Sequence, residues 1–202
     1  MRIFDLEIIV SEERKDADPG GIQPERKLIE MAQQNPDDFE HLFNKYYDTI
    51  FNYALRRTGN AYSADDVAAN TFLKAFSQIK NYQWKGVAFS AWLYRIATNE
   101  IAQSYRKSKR TVPLSSEITA RLKDDRSSDS ALLEAEELIV RNEKFKQIHA
   151  SISRLKIKYQ AALTLRYFEN KSIKEMAAIL ELSENTVKTH IRRGLKRLKE
   201  LL

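Results

Sequence analysis

The stretch that most constrains this chain is its last, Ser172 to Leu202, because two helix starts fall there in close succession. Ser172-Ile-Lys-Glu175 sets a hydroxyl three residues ahead of a carboxylate, the pattern of a capping box. Leu180-Glu181-Leu182 reads as a tight turn. Ser183 then caps a second helix, with Leu182 and Val187 spaced as a hydrophobic staple. Two helices joined in this way have the layout of a helix-turn-helix.

The second of these helices has two faces. Val187, Ile191, Leu195, Leu198 and Leu202 recur at helical spacing and form an apolar stripe. Lys188, Arg192, Arg193, Lys196, Arg197 and Lys199 occupy the rest, against Glu200. Taken alone, that is also the pattern of a solvated face on any amphipathic helix. The bracing helix upstream favours DNA recognition, since it would aim the N-terminal part of its partner into a major groove. The exposed candidates are Asn185, Thr186, Lys188, Thr189 and Arg192, with Arg193 and Lys196 continuing the face.

A net charge of +6 over 202 residues suits a polyanionic partner without naming it. The chain has no cysteine, which excludes disulfides and cysteine-ligated zinc. No apolar run approaches the roughly 20 residues that span a bilayer, so no membrane insertion is expected. The N-terminal apolar patch lacks a basic leader, and a cytoplasmic location is expected. Glycine is scarce, at five, and strand-like alternation is hard to find. The expected class is all-α.

Along the chain, residues 1–24 read as a tail ending in the breaker cluster Asp18-Pro-Gly-Gly21. A short helix is expected from about Glu25 to Gln34. Asp37-Asp-Phe-Glu40 looks like another capping box, opening a long aromatic helix through Thr58 with Gly59 as its C-cap. Ser63-Ala-Asp-Asp66 is read as the start of the next helix, with Val67, Ala68, Phe72, Phe76 and Ile79 along its inner side. Lys80 to Ala88 is an aromatic and basic loop. Its Tyr82 and Trp84 either cover the core or stack on unpaired bases, and the residues leave both readings open.

The helix from about Phe89 to Lys107 buries Phe89, Trp92, Leu93, Ile96, Ala97 and Ile101. At about 100° per residue, Arg95, Asn99, Gln103 and Arg106 fall on one narrow arc. Guanidinium and amide groups are the types that grip phosphate and base edges. Composition then shifts: Glu117 through Glu137 holds seven acids and three bases. This reads as a flexible acidic linker, 111–134, dividing two small helical domains at 25–110 and 135–202. In the second, Phe145, Ile148, Ile152 and Leu155 mark one helix and Lys158 to Phe168 another.

These residues resemble the extracytoplasmic-function (ECF) group of bacterial RNA polymerase sigma factors. Asp65-Asp66-Val67 with Thr71-Phe-Leu-Lys-Ala-Phe76 resembles that family's region 2.2. Phe89 to Ala97, then Asn99 and Arg106, resembles regions 2.3 and 2.4. Leu163 to Phe168, Glu175, Ala177, Leu180, Ser183 and Thr186-Val-Lys188 resemble region 4. The resemblance implies that Asp65, Asp66, Ala69, Asn70 and Phe72 dock on the β′ clamp coiled coil of core polymerase. It implies that Tyr82, Trp84, Lys85, Arg95, Asn99, Gln103 and Arg106 open and read the −10 element. The last helix would enter the −35 element, region 4 would meet the β flap, and an anti-sigma factor would restrain the whole. Neither a cofactor nor a catalytic residue is implied. The chain departs from the family pattern at Ala69-Asn70, where Gln-Glu is usual, at Gln103, where Asp is frequent, and at Lys156, where Pro is usual.

Other classes fit less well. Leu182 to His190 also resembles the LuxR-type helix-turn-helix regulators, which would require an upstream α/β sensor domain in place of long helices. No phosphate loop or nucleophile motif argues for an enzyme, and His41, His149 and His190 are scattered. A decoy that binds polymerase without DNA would not need basic arcs on both domains.

Overall fold

The structure, a computed structural model, describes residues 22–84, 86–110 and 149–201, with side chains over 25–84, 86–106 and 149–201. The expectations for residues 1–21 of the tail, the acidic linker, Phe145, Ile148 and Leu202 lie outside the described residues; residues 22–24, expected to end the tail, are instead helical. Every regular element among the described residues is a helix.

Helix α1 spans Ile22–Gln34, α2 Phe39–Thr58, α3 Ala61–Gln78 and α4 Phe89–Arg110. After a helical turn at 149–153 come α5 (Ile157–Tyr167), α6 (Ile173–Leu180) and α7 (Glu184–Leu201). Helices α2, α3 and α4 pack on one another, and α1 lies against α2. Leu42, Ile50, Tyr53, Phe89, Leu93 and Ile101 are fully buried at their centre. Burial of this kind stabilises by about 25 cal/mol per Å² of apolar surface.

Local signals explain most boundaries, with two corrections. The expected box at Asp37 to Glu40 does not form, because Asn35 caps first. Its side chain accepts from the Asp37 amide, Pro36 supplies a helical φ, and a 3₁₀ turn at Pro36–Asp38 runs straight into α2. Likewise Ser63 sits inside the first turn of α3 instead of capping it. Asn60, extended at φ −144°, accepts from the Ser63 amide at 2.8 Å and is the cap. Gly59 ends α2 in the left-handed region at φ 67°, as expected. A Cβ there would lie 2.2 Å from the His149 ring, so glycine is required by space as well as by φ.

Two polar side chains, one buried and one half-buried, fasten α1. The Glu25 carboxylate accepts from the Tyr46 hydroxyl and, at 3.2 Å, from the Phe89 amide at the start of α4. A carboxylate at a helix N-terminus meets both an orphan donor and the positive end of the dipole. Gln33 Nε2 donates to the carbonyls of Ile79 and Tyr82, pinning the 3₁₀ turn at Ile79–Asn81 and the loop after it.

In the C-terminal half the capping box at Ser172 is complete, with both reciprocal bonds present. Ser183 accepts from the Thr186 amide at 3.2 Å, and Val187 is fully buried at the staple position. Gly194 lets α7 approach α5 closely, since a Cβ there would sit 3.2 Å from Leu163. Ile152, Leu155, Leu163 and Leu198 form a small core of their own. Ala162, Leu165, Met176, Ile179 and Val187 instead join the larger cluster of the N-terminal half, so the two halves are packed together.

Candidate nucleic-acid interface

The outer face of α7 carries Asn185, Lys188, Arg192, Arg193 and Lys196, all exposed. Thr186 and Thr189 are half-buried and turned to local bonds. Thr186 Oγ1 pairs with Ser183 Oγ, and Thr189 Oγ1 donates to the Asn185 carbonyl. Arg197 is drawn to Glu200 at 2.9 Å. His190 points the other way, edge-on to Tyr159 at 5.7 Å between centroids. Burial, then Lys158 and Arg193, lowers its pKa below the ordinary histidine value, so it adds no charge to this face near neutrality. What remains is a cationic and amide surface at the start of a helix braced by α6. That arrangement can neutralise phosphates and meet base edges in a groove.

The second arc lies on α4. Asn99, Gln103 and Arg106 are exposed along one side, as their spacing predicts. Arg95 is one-third exposed and pairs with Glu181 at 2.9 Å, across from the turn between α6 and α7. Tyr82 is half-buried, its ring 4.6 Å from that of Trp92 and 5.2 Å from that of Phe89. Its phenol is pushed up to about 12, by burial first and by Glu25 second, with Arg95 opposing. It is therefore a neutral donor at physiological pH. Trp84 is also half-buried against the core, and Trp92, expected inside, is only partly so. Lys85 lies outside the described residues. Between this loop, α4 and α6 runs a cleft of about 780 Å³, with Tyr82, Trp92 and Arg95 on one wall and Ala178 and Glu181 on the other.

A third surface occupies the outside of α3. Asp66, Ala69 and Asn70 are exposed there; Asp65 is half-buried and accepts from the Tyr47 hydroxyl at 2.5 Å. Phe72 corrects its expectation: at 3% exposure it packs edge-on to Phe43 at 4.9 Å and cannot be a surface contact. Its neighbours take that place. Leu73 is 66% exposed, Phe76 45% and Phe43 36%, so Phe76 faces outward against the expectation of an inner position. The sequence held the signal, since adjacent Phe72 and Leu73 lie about 100° apart on a helix and cannot both face one core.

Each of the two helical units thus carries an exposed polar and cationic arc. Residues 42–111 match the family model for Sigma-70 region 2, and residues 145–198 that for Sigma-70 region 4. The chain is 30% identical over 181 residues to the ECF RNA polymerase sigma factor SigW of Bacillus subtilis, covering 88% of this chain and 95% of that one.

The chain belongs to the ECF sigma factors.

It is likewise 31% identical to the RNA polymerase sigma-H factor of Pseudomonas aeruginosa, over 85% of this chain and 90% of that protein. The fold is shared with CnrH, solved in complex with the cytosolic domain of CnrY, at a TM-score of 0.61 and 23% identity over 88% of this chain and 96% of that one. It is also shared with RpoE of Bartonella quintana, solved with the anti-sigma factor NepR, at 0.56 and 20% over 81% and 96%. As a sigma factor the chain serves RNA polymerase at promoters in transcription initiation. The LuxR-type alternative falls, because region 2 helices stand where a sensor domain would have to be.

Proposed function

We propose that the two arcs divide the work of promoter recognition. The α7 face, with Asn185, Thr186, Lys188, Thr189, Arg192, Arg193 and Lys196, reads the −35 element as duplex. Arg95, Asn99, Gln103 and Arg106 on α4 read the −10 element as it opens. The observation that carries this reading is the exposure of both arcs on separate helical units matching regions 2 and 4.

Melting needs no covalent chemistry. Unstacking a base costs a few kcal/mol, which capture of the flipped base in a pocket offsets. Tyr82 and Trp92 wall the cleft beside Arg95, so a base entering there would meet aromatic surface and a guanidinium together. With Tyr82 already packed on Phe89 and Trp92, its first duty is to hold the cleft's shape.

The apolar and polar patch on α3, with Asp66, Ala69, Asn70, Leu73 and Phe76, is the docking surface for core polymerase. Leu73 and Phe76 stay exposed on one side of α3, although Phe76 also meets Phe39 edge-on at 5.2 Å, and large hydrophobes left wet support a partner there. The C-terminal domain takes the β flap as second contact, and an anti-sigma factor is the restraining partner. The chain acts in the cytoplasm, and the bond-making chemistry belongs to polymerase.

Run-off transcription with core polymerase on a genomic fragment library tests the whole reading. Initiation from a limited promoter set is expected. A pattern no different from core alone would refute it.

A further inference from the structure

The first two turns of α7 offer fewer free groups than the sequence suggests. The Ser183 and Thr186 hydroxyls bond each other, and Thr189 Oγ1 donates to the Asn185 carbonyl. His190 lies edge-on against Tyr159. The polar side chains left to meet a groove there are Asn185, Lys188 and Glu184, which opens the helix. All three are exposed.

Glu184 is the unexpected member. Residues 149–201 hold five acids, all glutamates, and four of them are bonded. Glu169 accepts from Arg56 at 3.0 Å across the seam between the two halves, and Glu181 pairs with Arg95 at 2.9 Å. Glu175 completes the capping box, and Glu200 holds Arg197. The Glu184 carboxylate meets no donor among the described residues, although Lys188 stands one turn further on.

A free carboxylate at this place is costly. DNA is lined with phosphates, so an acid on the end of a helix that enters a groove weakens binding to every sequence. The helix dipole favours a negative first turn, which explains the charge but not the side chain's length, since aspartate would serve equally. What offsets the repulsion selectively is an amino group on a base edge. In the major groove cytosine shows only a donor, its N4 amino group, whereas thymine and guanine show acceptors. Adenine sets a donor beside an acceptor, a pair that an amide matches and a carboxylate does not.

We propose that Glu184 is a specificity residue of the −35 contact, selecting cytosine by accepting from its N4 amino group. The inference rests on the reading of α7 as the −35 helix. Asn185 and Lys188 beside it complete a set of three chemistries: an acceptor for cytosine, an amide for adenine and a cation for guanine. Rejection then counts as much as attraction, because thymine or guanine would set lone pairs against a charged carboxylate. Removing the acid should tighten binding overall while blurring the choice, the opposite of losing a cation such as Arg192.

The test uses core polymerase with the full chain on a promoter whose −35 element is randomised, the transcribed templates being sequenced. The parent should favour cytosine over thymine about tenfold at one −35 position, on one strand or the other. Glu184→Gln should move that position, and no other, towards adenine. Glu184→Asp keeps the charge at the helix start but withdraws the carboxylate by one methylene, so the preference should fall while thermal unfolding stays as in the parent. Glu184→Ala should flatten the position and raise affinity for an unrelated duplex. Unchanged base choice in Glu184→Gln and Glu184→Ala overturns the proposal and leaves the residue to the dipole alone. A parent without a cytosine preference at any −35 position overturns it too. Failure of the underlying reading looks different, since Arg192→Ala would then also leave every −35 preference unmoved.

Discussion

The two faces proposed to meet nucleic acid are built from similar residues but stand in different circumstances. On α7 the cations look into solvent, held from behind by a capped, stapled and well-packed helix pair. On α4 the leading cation, Arg95, is already engaged by Glu181, and the adjoining aromatics are half-buried. The C-terminal face is thus ready as it stands, whereas the N-terminal one is conditional on a change in its surroundings. Reading duplex edges needs only a rigid presented helix; capturing opened bases needs a cleft that must first be vacated.

That contrast can be broken most sharply at its cations. Arg192→Ala or Lys188→Ala should cost the −35 contact about 1–3 kcal/mol, and each lost phosphate contact should lower the log–log salt slope by about 0.9. Arg106→Ala should leave that slope unchanged while slowing open-complex formation at the same promoter. Filter binding across a salt series and permanganate footprinting separate the two. Equal effects on both readouts would erase the distinction between the faces.

A smaller effect is expected at the brace. Ser172→Ala removes the hydroxyl half of the capping box and leaves the backbone amide at 172 donating to Glu175, for a loss of about 1 kcal/mol in thermal unfolding of the C-terminal half. The N-terminal half should be untouched by it. A matching loss in both halves would mean that the domains unfold as one unit.

The smallest concerns pH at the seam. Burial lowers the His149 pKa when the domains are docked, with its hydrogen bond to the Arg57 backbone opposing. The docked form then binds fewer protons than the open one near the ordinary histidine value of about 6.5. Docking should therefore weaken as pH falls through that value and below it. Glu169, with its pKa raised, works in the opposite sense as its carboxyl takes up a proton. Comparing the radius of gyration by small-angle scattering in the parent and in His149→Gln between about pH 7.5 and about 5.5 isolates the histidine share. An identical pH response in both would assign the effect elsewhere.

Much of this molecule was legible in the sequence because its signals are local. Capping boxes, left-handed glycines and helical spacing act within a few residues, and Ser172, Gly59 and the Arg95–Arg106 arc were found that way. The misreadings arose where two local signals competed. Asn35 and Asn60 each took the cap that a nearby acid or serine motif also offered. Phe76 and Leu73 turned outward because α2 and α4 leave room for only part of a nearly continuous apolar run. The seam could not be read at all: Arg56 and Glu169, or Gly59 and His149, meet across more than eighty residues, and no periodicity links them.

The outward-facing Leu73 and Phe76 also bear on how this protein behaves when it is alone. A patch of oily side chains kept wet is a standing invitation to self-association, and its severity grows with concentration. The useful working level of such a subunit is therefore bounded from above by its own surface. A partner seated on α3 would act as a solubilising shell as well, and chain made in excess of such cover is expected to self-associate.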